Sequence, residues 1–282
     1  MQVVQLADAA EALERAGEQL SAARAEGELG YGILERLTRE PDAWGEVILL
    51  LGRLDGEPAA LVSMTGEHPA LICGFTDPGL IGYPDLVTAM LRAGRRPQLL
   101  NGSCRFSDPY ARAWQEMAGA TATVDREMRA FELRQVRRPA QPEGCFRVAT
   151  SDDTELLAAW AVAMGDDIRE PTSLDEAGRM VARLIGLGDL AVWECDGRPV
   201  SMAAVPRRTP SSSSISLVYT PPPMRGRGYA SAAVAALSQR ELDAGMQWCS
   251  LFTDLANPTS NHIYADIGYR PAADFRAYAL SW

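Results

Sequence analysis

Apolar and polar positions alternate along this chain in short blocks, and the period of each block predicts an element. Leu13 and Leu20 stand seven apart with alanine and glutamate between, which predicts a helix over Ala9–Arg24. Apolar runs at Trp44–Leu51, Ala59–Thr65 and Leu71–Phe75 read as strands, the first two joined by a turn at Asp55-Gly56. A helix over Tyr83–Ala93, a strand over Gln98–Phe106, a helix over Pro109–Met117 and a strand over Glu127–Val136 follow. The polar, proline-rich stretch Arg137–Gly144 reads as a linker. Beyond it, helices are expected over Asp152–Met164 and Leu174–Leu187. Strands are expected over Leu190–Glu194 and Val200–Pro206, with Asp196–Pro199 as the turn between them.

The next stretch is the most informative. A strand, Ser214–Thr220, meets a proline corner at Pro221–Pro223 and then the loop Arg225-Gly-Arg-Gly-Tyr-Ala230. A helix to about Ala244, a strand over Trp248–Thr253 and a short helix opened by Asn257-Pro258 complete it. The order of elements therefore occurs twice, and so do fragments of sequence. Asp55-Gly-Glu-Pro58 mirrors Asp196-Gly-Arg-Pro199, and Met128-Arg-Ala-Phe-Glu-Leu133 mirrors Phe275-Arg-Ala-Tyr-Ala-Leu280. Asp108-Pro109 lies as far before Gly119 as Asn257-Pro258 lies before Gly268.

Composition narrows the function. A length of 282 residues suits two domains, and 47% hydrophobic residues suffice for sizeable cores. A net charge of −10 makes nucleic acid and anionic membranes poor partners, and no apolar run approaches membrane length. The five cysteines are scattered and only two histidines are present, so neither a disulfide framework nor a metal site is expected. With no basic region and apolar core at the start, a cytoplasmic location is expected.

Glycines at 226 and 228 let the backbone turn tightly and come close to a ligand. A glycine loop feeding a helix N-terminus aims unpaired N–H groups and the positive end of the helix dipole at an anion. Arg225 and Arg227 add charged donors. No Gly-Lys-Ser/Thr follows the glycines and the chain contains no lysine, so this is not a nucleotide P-loop. The stretch resembles motif A of the GNAT acetyltransferases, Gln/Arg-x-x-Gly-x-Gly/Ala, with Arg225, Gly228 and Ala230 in its three specified places. The resemblance runs from about Phe146 to Leu280. It implies an α+β fold: two tandem GNAT domains, each a mixed, mostly antiparallel sheet flanked by helices. The domains would be 1–138, degenerate, and 145–282, catalytic and binding acetyl-CoA. The first copy has Asp77-Pro-Gly-Leu-Ile-Gly-Tyr83 in place of the arginine loop, and Gln115 matches Tyr264. It is expected to keep the fold as a scaffold without the site.

The resemblance also assigns roles. Gly226, Arg227 and Tyr229 join the three motif residues in holding the pyrophosphate of acetyl-CoA. Backbone groups of Leu217, Val218 and Tyr219 hold the pantetheine arm, and one N–H polarises the acetyl carbonyl. Asn257 caps the short helix and also contacts the arm, or caps it alone; Asn261 reaches the same arm. Tyr264 protonates the departing thiolate, the alternative being plain packing against Ile263 and Ile267. Asp254 is the candidate base, with Glu194 and the acids Asp166, Asp167 and Glu170 as further candidates. His262 is expected to be exposed and Cys249 to lie in the core. The leading expectation is an N-acetyltransferase acting on a small-molecule amine. A protein acetyltransferase that docks its target through the first domain and a non-catalytic acyl-CoA sensor are the alternatives.

Overall fold

The computed structural model describes residues 1–42, 44–66 and 68–282. The chain forms two compact units. The first comprises Met1–Phe131, Phe252–Asn257 and Pro271–Trp282; the second comprises Glu132–Leu251 and Pro258–Arg270.

The first unit begins with strand β1 (Gln2–Gln5) and helices α1 (Ala9–Ala22) and α2 (Ala25–Arg39). Strands β2 (Val47–Leu54), β3 (Glu57–Thr65) and β4 (Ala70–Gly74) follow, then helix α3 (Tyr83–Arg92) and strand β5 (Leu99–Gly102). Helix α4 (Cys104–Ala118) and strand β6 (Thr121–Leu133) close the first half of the sequence. The second unit repeats this order. Strand β7 (Cys145–Val148) precedes helices α5 (Thr154–Ile168) and α6 (Leu174–Gly186) and strands β8 (Leu190–Cys195), β9 (Arg198–Arg208) and β10 (Ser212–Tyr219). Helix α7 (Tyr229–Asp243), strand β11 (Trp248–Asp254), helix α8 (Pro258–Ile267) and strand β12 (Arg270–Ser281) complete the chain.

Both units are built alike, as the α+β expectation requires. β1, β2, β3 and β4 pair antiparallel in turn, and β4 then pairs parallel with β5 across the α3 crossover. β7 to β10 do the same, and β10 pairs parallel with β11 across α7. The two hairpins turn at Asp55-Gly56 and Asp196-Gly197, where all four residues have positive φ. That is the demand of a type I′ turn, and Asp-Gly is the dipeptide that meets it.

Four differences from the sequence expectation have physical causes. α2 is a helix that three buried glycines disguise. A Cβ on Gly27 would stand 2.0 Å from the Leu20 carbonyl oxygen, and one on Gly30 2.8 Å from the Cys73 sulfur. These glycines let α2 lie close against α1 and β4, and that packing overrides their poor helix propensity. α4 starts at Cys104 and runs through Pro109, so the expected strand to Phe106 stops at Gly102. A proline here forfeits one helical hydrogen bond, which the packing of Phe106, Tyr110 and Trp114 into the core outweighs. β1 and β7 are four-residue edge strands, too short for a period to register.

The fourth difference is topological. β12 closes the sequence yet lies in the first unit, antiparallel to β5, with Tyr278 opposite Leu100. Its Phe275 is 1% exposed and meets Phe252 edge-on with ring centroids 4.9 Å apart. Ala25 and Ala130 share that cluster. Arg129 on β6 grips Asp274 through two hydrogen bonds of 2.6 and 2.9 Å, and Arg276 pairs with both Asp108 and Glu127. The expected division at 138–145 is a division of the sequence, whereas the compact units are drawn across it.

Removing the Phe275 ring therefore acts on the first unit. Phe275→Ala is expected to cost about 3–5 kcal/mol. Denaturant unfolding gives the magnitude, and amide exchange should quicken in β4 and β5 before it does in β8 and β9.

Candidate functional site

The second unit holds its strand β10 in two different states. The first half is fully paired. Ser212–Ser214 align with Trp248–Ser250 on β11, and buried Glu241 of α7 accepts hydrogen bonds from Ser213 (2.7 Å) and from Arg208 on β9 (2.9 Å). Burial alone would raise the Glu241 carboxyl. The hydrogen bonds from Arg208, Ser213 and Arg240 outweigh it and hold the group below its ordinary value. Beyond Ser214 the pairing with β11 stops, while the pairing with β9 continues irregularly to Tyr219. Ser216 lies opposite Ala204 and Tyr219 opposite Met202, so Leu217 and Val218 together face the single residue Ala203. This is a β-bulge, and Leu217 sits in it at φ +50°. A leucine there costs about 1–3 kcal/mol, which the surrounding pairing must offset. The bulge takes Leu217 and Val218 out of the regular register with β9.

The chain then makes a short 3-10 turn over Pro222–Met224 and passes through Arg225 in extended geometry to Gly226 and Gly228, at φ +76° and +82°. Gly228 precedes α7, and no side chain caps the helix there. A Cβ at either glycine would meet no atom within 4 Å. Glycine is thus required by φ, and space lies open in front of the helix's first N–H groups. Tyr229 is buried, whereas Arg225, Gly226, Arg227 and Gly228 are exposed. Arg225 is already engaged. Its Nε donates to the Thr220 carbonyl (2.9 Å), its terminal nitrogen donates to Asp167 (2.7 Å), and its guanidinium lies 5.6 Å from the Tyr219 ring centre. Tyr219 in turn packs against Trp160 of α5, with centroids 6.1 Å apart. The pair with Asp167 is half-exposed on both sides, so it is worth little and yields readily to a more highly charged anion.

Tyr264 and Asn261 lie on α8 in the same unit. The Tyr264 ring is 8% exposed and meets Tyr269 edge-on at 6.0 Å, and the Tyr269 hydroxyl lies 2.8 Å from the Ser238 oxygen on α7. Burial pushes the Tyr264 hydroxyl up to about 12, so it stays protonated well beyond neutral pH. Asp254 and Asn257 fall in the first unit; both are exposed, and Asp254 accepts from the Ala256 N–H at 2.7 Å. Of the other acids, Glu194 is taken by Arg147. Asp166 and Asp167 sit in the last turn of α5, with Glu170 just beyond. His262 is exposed beside Asp266, and Cys249 is buried.

Among the described residues, the first unit has neither the bulged strand nor the glycine loop. β4 pairs with β3 in unbroken register from Ala60–Gly74 to Ser63–Leu71. Asp77 uses its carboxylate to accept the Gly79 N–H. Phe106 lies flat against β4, so that a Cβ on Gly74 would come within 2.3 Å of its ring. Two residues beside the second unit's site escaped the sequence reading: Ser201, hidden in a strand that reads as core, and Thr220, taken as the strand's last residue. Alignment of the repeats carries the missing signal, since Ala60 stands where Ser201 does.

The family model for FR47-like protein matches residues 194–278. No curated protein matches the chain in sequence. Among solved structures, the chain is similar to a GCN5-related N-acetyltransferase from Sphaerobacter thermophilus, with TM-score 0.65 and 19% identity over 98% of this chain and 94% of that one. It is similar to an acetyltransferase of the GNAT family from Colwellia psychrerythraea, with TM-score 0.62 and 11% identity over 100% of both chains. It is also similar to a tandem GNAT protein from the clavulanic acid biosynthesis pathway, with TM-score 0.60 and 14% identity over 99% and 98%. At these identities the likeness is one of fold, and it extends over both halves.

Gly228→Ala probes the loop without a clash. The added Cβ meets nothing, so the penalty is that of a left-handed alanine, about 1–2 kcal/mol. Denaturant unfolding measures it, and an unchanged midpoint would contradict the loop conformation described above.

Proposed function

The chain has the GNAT fold in tandem, and from that premise we propose that it is an N-acetyltransferase drawing on acetyl-CoA and acting on a small-molecule amine. One observation carries the reading. A bulged strand and an uncapped glycine loop occur together in the second unit, while the first unit has an unbroken strand and an acid in the same places. Bulge and loop serve one extended ligand with a phosphate at one end, which is why they are kept or lost together.

Acetyl-CoA supplies the acyl group and a thiolate leaving group. The first N–H groups of α7, with Arg225 and Arg227, hold its pyrophosphate. Arg225 exchanges Asp167 for the doubly charged anion at small cost, because both partners are half-exposed. Backbone groups of Leu217–Tyr219 hold the arm, and one N–H there polarises the carbonyl that the neutral amine attacks. The C–N bond forms, the C–S bond breaks, and the proton displaced from nitrogen leaves to solvent. Asp254 at the end of β11 remains the candidate base, and Asn257, directly before α8, the candidate contact to the arm.

The Tyr264 hydroxyl faces the leaving sulfur in this reading. Its pKa of about 12 exceeds that of a thiol near 8.5, so full proton transfer runs uphill. The hydroxyl therefore stabilises the thiolate by donating a hydrogen bond, and water protonates it on release.

Calorimetry with acetyl-CoA should find one site per chain, and two equivalent sites would refute the assignment. Arg225→Ala should weaken CoA more than a pantetheine fragment that lacks the pyrophosphate. Tyr264→Phe keeps the ring, so acetyl-CoA affinity should hold while the single-turnover rate with saturating amine falls about 10²-fold, the lower end for losing one hydrogen-bond donor to a developing negative charge. Thiol release across an amine panel checks turnover itself. An unchanged rate in Tyr264→Phe makes the residue a packing tyrosine.

A further inference from the structure

Where β10 ends and the arginine loop begins, two hydroxyls close on the backbone. Ser201, on β9, is 0% exposed. Its Oγ donates to the Tyr219 carbonyl at 3.1 Å and lies 2.9 Å from the Thr220 Oγ1. A serine hydroxyl has one proton, and it goes to Tyr219, so the Thr220 hydroxyl must donate to Ser201. From the other side, Arg225 Nε donates to the Thr220 carbonyl at 2.9 Å. Two successive peptides are thus held, the Tyr219 carbonyl by Ser201 of β9 and the Thr220 carbonyl by Arg225 of the loop.

The repeat shows that the fold does not need this arrangement. Aligning Asp55-Gly-Glu-Pro58 with Asp196-Gly-Arg-Pro199 puts Ala60 at the place of Ser201. Ala60 faces Gly74 in the regular ladder of β3 and β4, where neither residue carries a hydroxyl. The unit without the bulge and without the arginine loop makes the same strand pair with no polar latch at all. The latch accompanies the site and not the sheet.

We propose that Ser201 and Thr220 are positioning residues for the donor: a hydroxyl relay, Thr220 to Ser201 to the Tyr219 carbonyl, that fixes the outlet of the bulged strand and so sets where the Arg225–Gly228 loop stands. Neither hydroxyl touches the reacting atoms. The ladder with β9 is irregular just before this point and ends at the Tyr219–Met202 pair, and the relay extends its restraint one residue further, to Thr220. The role in donor binding rests on the acetyl-CoA reading; the role in ordering the loop does not.

The test uses the full chain. Thr220→Val keeps the shape and removes the donor, at a half-buried position that tolerates the change. In the ligand-free protein, amide exchange over 219–230 should quicken while β8 and β9 stay as they were. Affinity for CoA should fall on the order of two- to tenfold, the range for one net hydrogen bond. Thr220→Ser, which keeps the hydroxyl, should restore both. Ser201→Ala should add little to Thr220→Val, since the two share one relay. Unchanged exchange in Thr220→Val, or exchange that rises throughout the chain, overturns the proposal. Unchanged CoA affinity with locally faster exchange overturns the donor role. If the wild type binds no CoA, the acetyl-CoA reading and the donor role fall together, and the exchange data alone decide whether the relay orders the loop.

Discussion

A strand that satisfies all of its backbone groups within a sheet has none left for a ligand. The second unit resolves this at Leu217, where a residue in a left-handed conformation breaks the ladder midway along β10. Everything else in the site follows from that break. The paired half of the strand is pinned by Glu241 to α7 and by register to β11, so the distortion stays local. The irregular half is held to β9 at Tyr219, and just beyond it Ser201, Thr220 and Arg225 form hydrogen bonds with one another or with its last carbonyls. The uncapped helix beyond the loop extends the same principle, with polar backbone left open where the sequence has glycine in place of a capping side chain.

The contrast between the two units carries the argument because it controls for the fold. Both units use the same pairing scheme, the same Asp-Gly hairpin and the same crossover. They differ in the irregular pairing of β10 with β9, which has two register shifts where β4 has none, in one loop and in one pair of hydroxyls. In the first unit the released residues have other duties. Asp108, matched to Asn257, clamps Arg276 and accepts from the Tyr278 hydroxyl, and Phe106 packs flat on Gly74.

Much of this was legible in the sequence because local chemistry dictates it. The hairpins needed Asp-Gly, the loop needed Gly226 and Gly228, and the duplicated order of elements could be read from apolar periods alone. What stayed hidden depends on contacts between distant residues. The glycines of α2 look like helix breakers until Leu20 and Cys73 are seen against them. Ser201 looks like any strand serine until Tyr219 and Thr220 come to rest beside it. No period or motif could assign β12 to the first unit, since strand pairing is decided by the side chains around Phe275 and Arg276 and not by order along the chain.

That last pairing has a consequence for biosynthesis. β5 ends at Gly102, and the strand that covers it ends at Ser281. At about 5–20 residues per second, a ribosome takes roughly 9–36 s to travel between them. Throughout that interval the first unit's sheet has an open edge of unpaired backbone, the surface most prone to recruit a neighbouring nascent chain. The N-terminal half therefore cannot mature ahead of the C-terminal half. Its completion waits on β12, and a message truncated before that strand leaves the edge at β5 uncovered.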